Sequence, residues 1–147
     1  MREHGPIADL VGHRGWRVTL PSELEWEKAA RGGLRDRVFS WGDDPDPNRA
    51  NYDGADIDDT SAVGCFPANG FALYDMLGNL FEWTRSRYRD YPYRAGDGRE
   101  RAKPGGGAWM VVCGGSWLYY RYLARCAFRY YLIGFRVVVG SAPVRRR

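Results

Sequence analysis

Gly114 to Gly140 reads GGSWLYYRYLARCAFRYYLIGFRVVVG. Between Leu118 and Leu132 this stretch holds five tyrosines (Tyr119, Tyr120, Tyr122, Tyr130 and Tyr131), Phe128, three arginines and no acid. A buried core accepts few phenolic hydroxyls, because each needs a hydrogen-bond partner once it leaves water. A recognition surface favours them: Tyr gives a large, stiff, amphipathic contact at low entropy cost, and Arg adds forked hydrogen bonds and stacking. The flanks, Gly114-Gly115-Ser116-Trp117 and Ile133-Gly134-Phe135-Arg136-Val137, read as structural anchors. Arg121, Arg125 and Arg129 fall at a spacing that would stripe one helix face, but the anchors argue for a loop and a short strand. The stretch reads as a binding surface on a rigid frame.

Working outward, the whole chain of 147 residues is one domain by length. Its 19 glycines and 8 prolines point to a loop-rich fold and away from a helix bundle. Lys28 and Lys103 are the only lysines among 22 basic residues, which suggests a GC-rich, prokaryotic genome and leaves a thermophilic source open. The net charge of +4 owes three charges to Arg145-Arg146-Arg147. With no helix-turn-helix or zinc-finger pattern, that balance does not argue for nucleic acid. No apolar run has the length of a membrane span, and MREHGPIADL lacks a signal-peptide apolar core. The chain therefore reads as soluble, with its cellular location open. Cys65, Cys113 and Cys126 are odd in number and widely spaced, so they read as buried free thiols.

Ahead of the organising stretch, Ile7 to Val11 reads as the end of a helix, and Gly15 to Pro21 as a turn into an extended segment. Ser22 is an N-cap candidate with Glu25 as its capping-box partner. The helix expected from Glu23 to Arg31 places Leu24, Lys28 and Arg31 near one stripe and Trp26, Ala29 and Ala30 near another. Gly32-Gly33 would close it in a left-handed cap. From Phe39 to Asn69 periodicity is lost, and so long an irregular segment needs something to tie it down. Its acids, among them Asp44, Asp46, Asp53, Asp56, Asp58 and Asp59, suit calcium or a solvated loop of Asx-turns. Leu73 to Leu77 reads as a helical turn ended by Gly78-Asn79. Leu80 to Thr84 alternates as a strand, with Glu82 among large hydrophobes and in need of a partner if buried. Asp75 and Glu82 could hold a second cation. Arg85 to Gly107 reads as an exposed excursion, Ala108 to Gly114 as a core strand and Phe135 to Val139 as the closing strand.

The segments LPSELEWEKAARGG, FSWGDDPDPNRANY, VGCFPANGFALYDMLGNLFEWT, CGGSW and RCAFR…IGFRVV, in this order, resemble the formylglycine-generating-enzyme family. This is the sulfatase-modifying-factor branch of the C-type lectin fold. The match runs from about residue 16 to 140, with the family's N-terminal strands and first helix shortened. The resemblance implies an α+β fold: a compact, loop-rich C-type-lectin-like domain with short strands and few helices. It also implies structural calcium. Asn51, the Tyr52 carbonyl and an acid such as Asp56 would form one site. Asp75, Glu82 and the carbonyls of Gly78 and Leu80 would form the other.

The catalytic members oxidise a substrate cysteine with copper and oxygen, using two cysteines shortly after the GGS motif. Here that place holds Trp117 to Ala124 without a thiol, and Cys126 lies in the RCA motif at a non-catalytic position. Copper(I) needs soft thiolates, and His4 and His13 cannot supply the histidine cluster of the iron-dependent relatives. Neither copper nor iron is expected, and the chain reads as no enzyme. It is similar to the variable proteins of diversity-generating retroelements, in which an error-prone copy made at template adenines replaces the 3′ end of a gene. AAC codons then become NNC codons, which encode Leu, Tyr, Arg and Phe but never Trp, Lys, Glu, Gln or Met. Leu118, Tyr119, Tyr120, Tyr122, Phe128, Tyr130, Tyr131 and Leu132 satisfy that constraint. The resemblance makes residues 117–133 a diversified surface for a protein or cell-surface ligand. Trp117, Arg125, Arg129, Phe135 and Arg136 would be its fixed frame. Two alternatives remain: an oxygenase of the family lacking its cysteines, and an oligomer interface or core built from the same tyrosines.

Overall fold

The computed structural model describes residues 16–101, 109–120, 123–130 and 135–141. Its regular elements are short: strand β1 (Trp16–Thr19), helix α1 (Glu23–Ala30), strands β2 (Glu82–Arg87), β3 (Met110–Cys113), β4 (Arg129–Tyr130) and β5 (Val138–Ser141), and 3₁₀ turns at Asp53–Ala55 and Arg99–Arg101. The expected helix end at Ile7 to Val11 lies outside the described residues.

Helix α1 starts where its capping box dictates. Ser22 Oγ accepts from the Glu25 amide at 3.2 Å, and Glu25 Oε2 accepts from the Ser22 amide at 2.8 Å. Trp26 and Ala30, one turn apart, are buried, while Leu24 and Lys28 face outward. The two stripes are thus an inner and an outer face. Gly32 and Gly33 take φ of +57° and +90° directly after the helix.

Two antiparallel sheets hold the chain. β1 pairs with β5, which ties Trp16–Thr19 to the segment after the GFR anchor. β2, β3 and β4 form the other sheet in that order. Val111 and Val112 are fully buried at its centre, and the buried Thr84 hydroxyl donates to the Val111 carbonyl where β2 and β3 lose register. The core joins this sheet to the inner face of α1 through Trp26, Ala30, Met76, Leu77, Val111 and Cys113.

Between Phe39 and Leu80 asparagine side chains do the work of a strand ladder. Asn79 closes a two-way contact with Ser61, accepting from its amide at 3.0 Å and donating to its carbonyl at 3.1 Å. Asn51 donates to the Asp59 carbonyl at 2.8 Å, and its own carbonyl accepts from the Asn79 amide at 2.6 Å. Gly78 is required at this crossing: a Cβ there would lie 2.2 Å from the Asn51 carbonyl oxygen, and its φ is +76°. The helical turn expected at Leu73 to Leu77 is absent; ahead of it, Asn69 Oδ1 accepts from the Phe71 and Leu73 amides and fixes a turn over residues 69–73.

Two further expectations change. Phe135 makes only a bridge to Trp83, and the closing strand begins at Val138. The segment after Thr84 is no free excursion, because β2 runs on to Arg87 and Arg99 is buried. Arg99 faces Glu23 at 3.5 Å and Asp97 at 2.8 Å, with Glu23 itself buried. The side chain of Arg129 lies over the rings of Tyr88 and Tyr91 and also reaches Glu23. This clasp gives the buried Glu23 two guanidinium partners, which a buried carboxylate requires.

Candidate functional site

The frame of the aromatic stretch is set by backbone. Gly114 and Gly115 take φ of +98° and +77°, and a Cβ on Gly115 would lie 2.8 Å from the Ala124 Cα. The Gly114 carbonyl accepts from the Gly78 amide and the Asn79 carbonyl from the Trp117 amide. Gly114, Gly115 and Ser116 are buried, as are Ala124 and Cys126 on the return. Between these fixed ends the chain turns outward. Leu118 is 63% exposed and Tyr120 60% exposed.

The other candidates differ among themselves. Tyr119 is half-buried, meets Phe81 edge-on at 5.5 Å and accepts at its carbonyl from the Asp53 amide. Phe128 is half-buried, 6.4 Å from the same Phe81 ring. Tyr130 is in β4, opposite Val112. Tyr122, Tyr131 and Leu132 lie outside the described residues. Leu118 and Tyr120 are thus largely exposed, whereas Tyr119 and Phe128 carry part of the packing against Phe81. Phe81, buried at the base of both rings, was missed because its strand pattern gave no sign of which loop it would meet. The expected frame also divides. Arg129 and Arg136 are anchored by ion pairs, but Arg125 is exposed and Phe135 is 74% exposed.

Arg136 answers the question that Glu82 posed. Its Nε donates to both Glu82 oxygens at 3.0 and 2.8 Å, and its Nη2 donates to Oε1 at 2.6 Å. Trp26 Nε1 donates to Oε2 at 2.7 Å. Nη2 also reaches the Tyr74 and Asp75 carbonyls. A cation at Glu82 would have to displace this guanidinium, so the expected pairing of Asp75 and Glu82 around calcium does not fit the side chains as they stand. The Asp75 carboxylate accepts instead from the Gly64 amide at 2.7 Å. Gly78 is packed on Asn51, and Leu80 is exposed.

At the other expected position the carbonyl of Asn51 accepts from Asn79 and that of Tyr52 from Ala55, and Asp56 ends the 3₁₀ turn in a left-handed conformation. Among the described residues no three His, Cys, Asp or Glu side chains gather as a metal cluster.

Two of the three thiols lie in the buried frame beneath this surface. Cys113 and Cys126 are buried, and desolvation raises both, Cys126 to about 12. Cys65 is exposed, against the expectation that all three would be buried. No helix among the described residues is long and apolar enough to cross a membrane.

Comparison with known proteins bears on this geometry. Residues 7–139 match the sulfatase-modifying factor enzyme 1-like domain. The formylglycine-generating enzyme of Mus musculus is 34% identical over 143 residues, covering 82% of this chain and 37% of its own. The inactive C-alpha-formylglycine-generating enzyme 2 of the same organism is 37% identical over 122 residues, covering 75% of this chain and 35% of its own. Among solved structures, Treponema denticola variable protein 1 superposes with a TM-score of 0.68 at 29% identity, over 90% of this chain and 50% of that one. The chain thus spans half or less of the length of these relatives, which include an active enzyme and an inactive one. Its fold is the loop-rich one with short strands and, among the described residues, one α-helix, and the chain belongs to the sulfatase-modifying factor enzyme 1-like domain family.

Proposed function

We propose that this chain, taken as one domain, is a non-catalytic binding protein of the retroelement variable-protein kind. It presents residues 117–133 as a diversified surface to a protein or cell-surface ligand. The observation that carries this reading is the abrupt change from the buried Gly114–Ser116 frame to Leu118 and Tyr120, which stand open to solvent. Varied side chains at such positions leave the core untouched. The likeness to Treponema denticola variable protein 1 supports the reading. So does the sequence Trp117 to Ala124, which lacks the two thiols that resemblance to the catalytic members requires there.

The test is to sequence the source locus from many independent clones. A nearby near-copy of codons 114 to 136, differing only at adenines, is the expected result. Fixed codons with neither template nor reverse transcriptase nearby would overturn it.

The likeness to formylglycine-generating enzyme keeps an oxygenase as the second reading. It requires tight copper binding and oxygen consumption with a thiol substrate, and the absence of both would end it.

A further inference from the structure

A second feature, away from the aromatic stretch, lies on the outer face of α1. A cavity of about 340 Å³ opens between this helix, the segment that follows it and the turn at residues 69–73. Leu24, Leu34 and Phe71 are its apolar walls, each about half exposed. Lys28, Arg31 and Arg35 stand around them as cations. Pockets of this size, mostly apolar with a few convergent polar groups, are the usual form of small-ligand sites.

The walls are built and held in place. Asn69 Nδ2 donates to the Ala29 carbonyl at 2.7 Å, which caps the end of α1 and fixes the 69–73 turn against it. Its Oδ1 accepts from the Phe71 amide at 2.9 Å. Phe71 is thereby laid over Gly33, where a Cβ would come 3.3 Å from the ring. Below this contact, a Cβ on Gly70 would lie 2.3 Å from the Gly32 carbonyl oxygen, so only two glycines let the turn approach the helix so closely. A site whose walls are fixed before binding loses little entropy when it is filled.

The charge of the rim is unbalanced. Arg31 is neutralised by Glu27 at 2.7 Å and donates to the Arg37 carbonyl. Lys28 and Arg35 have no ion-pair partner among the described residues. The pocket therefore joins an apolar floor to two unpaired cations.

We propose that this pocket binds a small amphiphile with one anionic head, of the medium-chain carboxylate class, with its chain between Leu24, Leu34 and Phe71 and its carboxylate at Lys28 and Arg35. Aliphatic stems of Lys and Arg can line the apolar part while their heads hold the anion.

Decanoate, with decanol and decyltrimethylammonium as controls, tests this by two-dimensional NMR on the full chain. Decanoate is expected to shift the amides of residues 24–35 and 69–73 and to leave residues 117–120 unmoved. Lys28→Gln with Arg35→Gln, both at exposed positions, should weaken decanoate binding at least tenfold and leave decanol unchanged. Phe71→Ala should weaken both. If decyltrimethylammonium binds as well as decanoate, or the shifts fall elsewhere, the proposal is wrong. It is equally wrong if an acidic peptide shifts these residues and decanoate does not, because the face would then be a protein-docking surface.

Discussion

Replacing Glu82 by glutamine tests whether an arginine, and not a cation, balances this carboxylate. The side chain is 12% exposed and its partner Arg136 is 29% exposed. Glu82→Gln keeps shape and volume but turns an amide N–H₂ towards a guanidinium that now donates to carboxylate oxygens at 2.6–3.0 Å. Removing one partner from a fully buried pair costs about 3–5 kcal/mol, because the other charge is left behind. Partial exposure of Arg136 allows water to relieve part of this, which brings the expected loss to about 3 kcal/mol. For a chain of this size that corresponds to a fall in Tm of about 6–12 °C.

Urea denaturation followed by tryptophan fluorescence measures the loss directly. The double variant Glu82→Gln with Arg136→Met should be no less stable than Glu82→Gln alone, since it removes the orphaned charge as well. Each curve is run with calcium and again with chelator. An ion that bound at Glu82 would add stability through mass action only when present. A loss below about 1 kcal/mol, the range of an exposed pair, or one that appears only with calcium, would refute the assignment of Arg136 as the partner.

Three other outcomes follow from named contacts. Leu118→Ala and Tyr120→Ala should shift Tm by no more than about 2 °C, whereas Tyr119→Ala and Phe128→Ala, which uncover Phe81, should each cost about 1–3 kcal/mol; equal losses at all four in thermal scans would contradict the division between surface and support. A thiol reagent should label Cys65 at once and leave Cys113 and Cys126 unreacted until denaturant is added, so two or three fast thiols in the native state would show a looser core than the burial implies. Glu25 is lowered from 4.5 to about 2, chiefly by its hydrogen bond from Arg85. Its contribution is therefore complete above pH 4.5 and lost as pH falls through about 2. Because that side chain is half exposed, the advantage of the parent over Glu25→Gln should be at most about 1 kcal/mol at pH 6 and vanish near pH 2, and an advantage that grew on acidification would reverse the assigned sign.

What could be read from the sequence was what neighbours in the chain decide. Ser22 and Glu25 are three residues apart, so the capping box and the start of α1 were legible, as were the two glycines that end it. Pairings across the chain left only partial signs. Glu82 could be recognised as needing a partner, but nothing local says that the partner is Arg136, which is 54 residues away. The same holds for Glu23 and Arg99, 76 residues apart. Read alone, Arg99 sits in a polar, turn-rich segment that looks exposed; it is buried between Asp97, the Tyr93 ring and the distant Glu23 at the start of α1. The aromatic stretch shows the limit most clearly. Its tyrosines share one composition, yet Tyr119 and Tyr120, adjacent in sequence, fall on opposite sides of the boundary between support and surface. That boundary follows Phe81, which the Tyr119 ring meets and which lies far earlier in the chain. Composition can mark a stretch as suited to recognition, but only the crossing of distant backbones decides which of its side chains a ligand can touch.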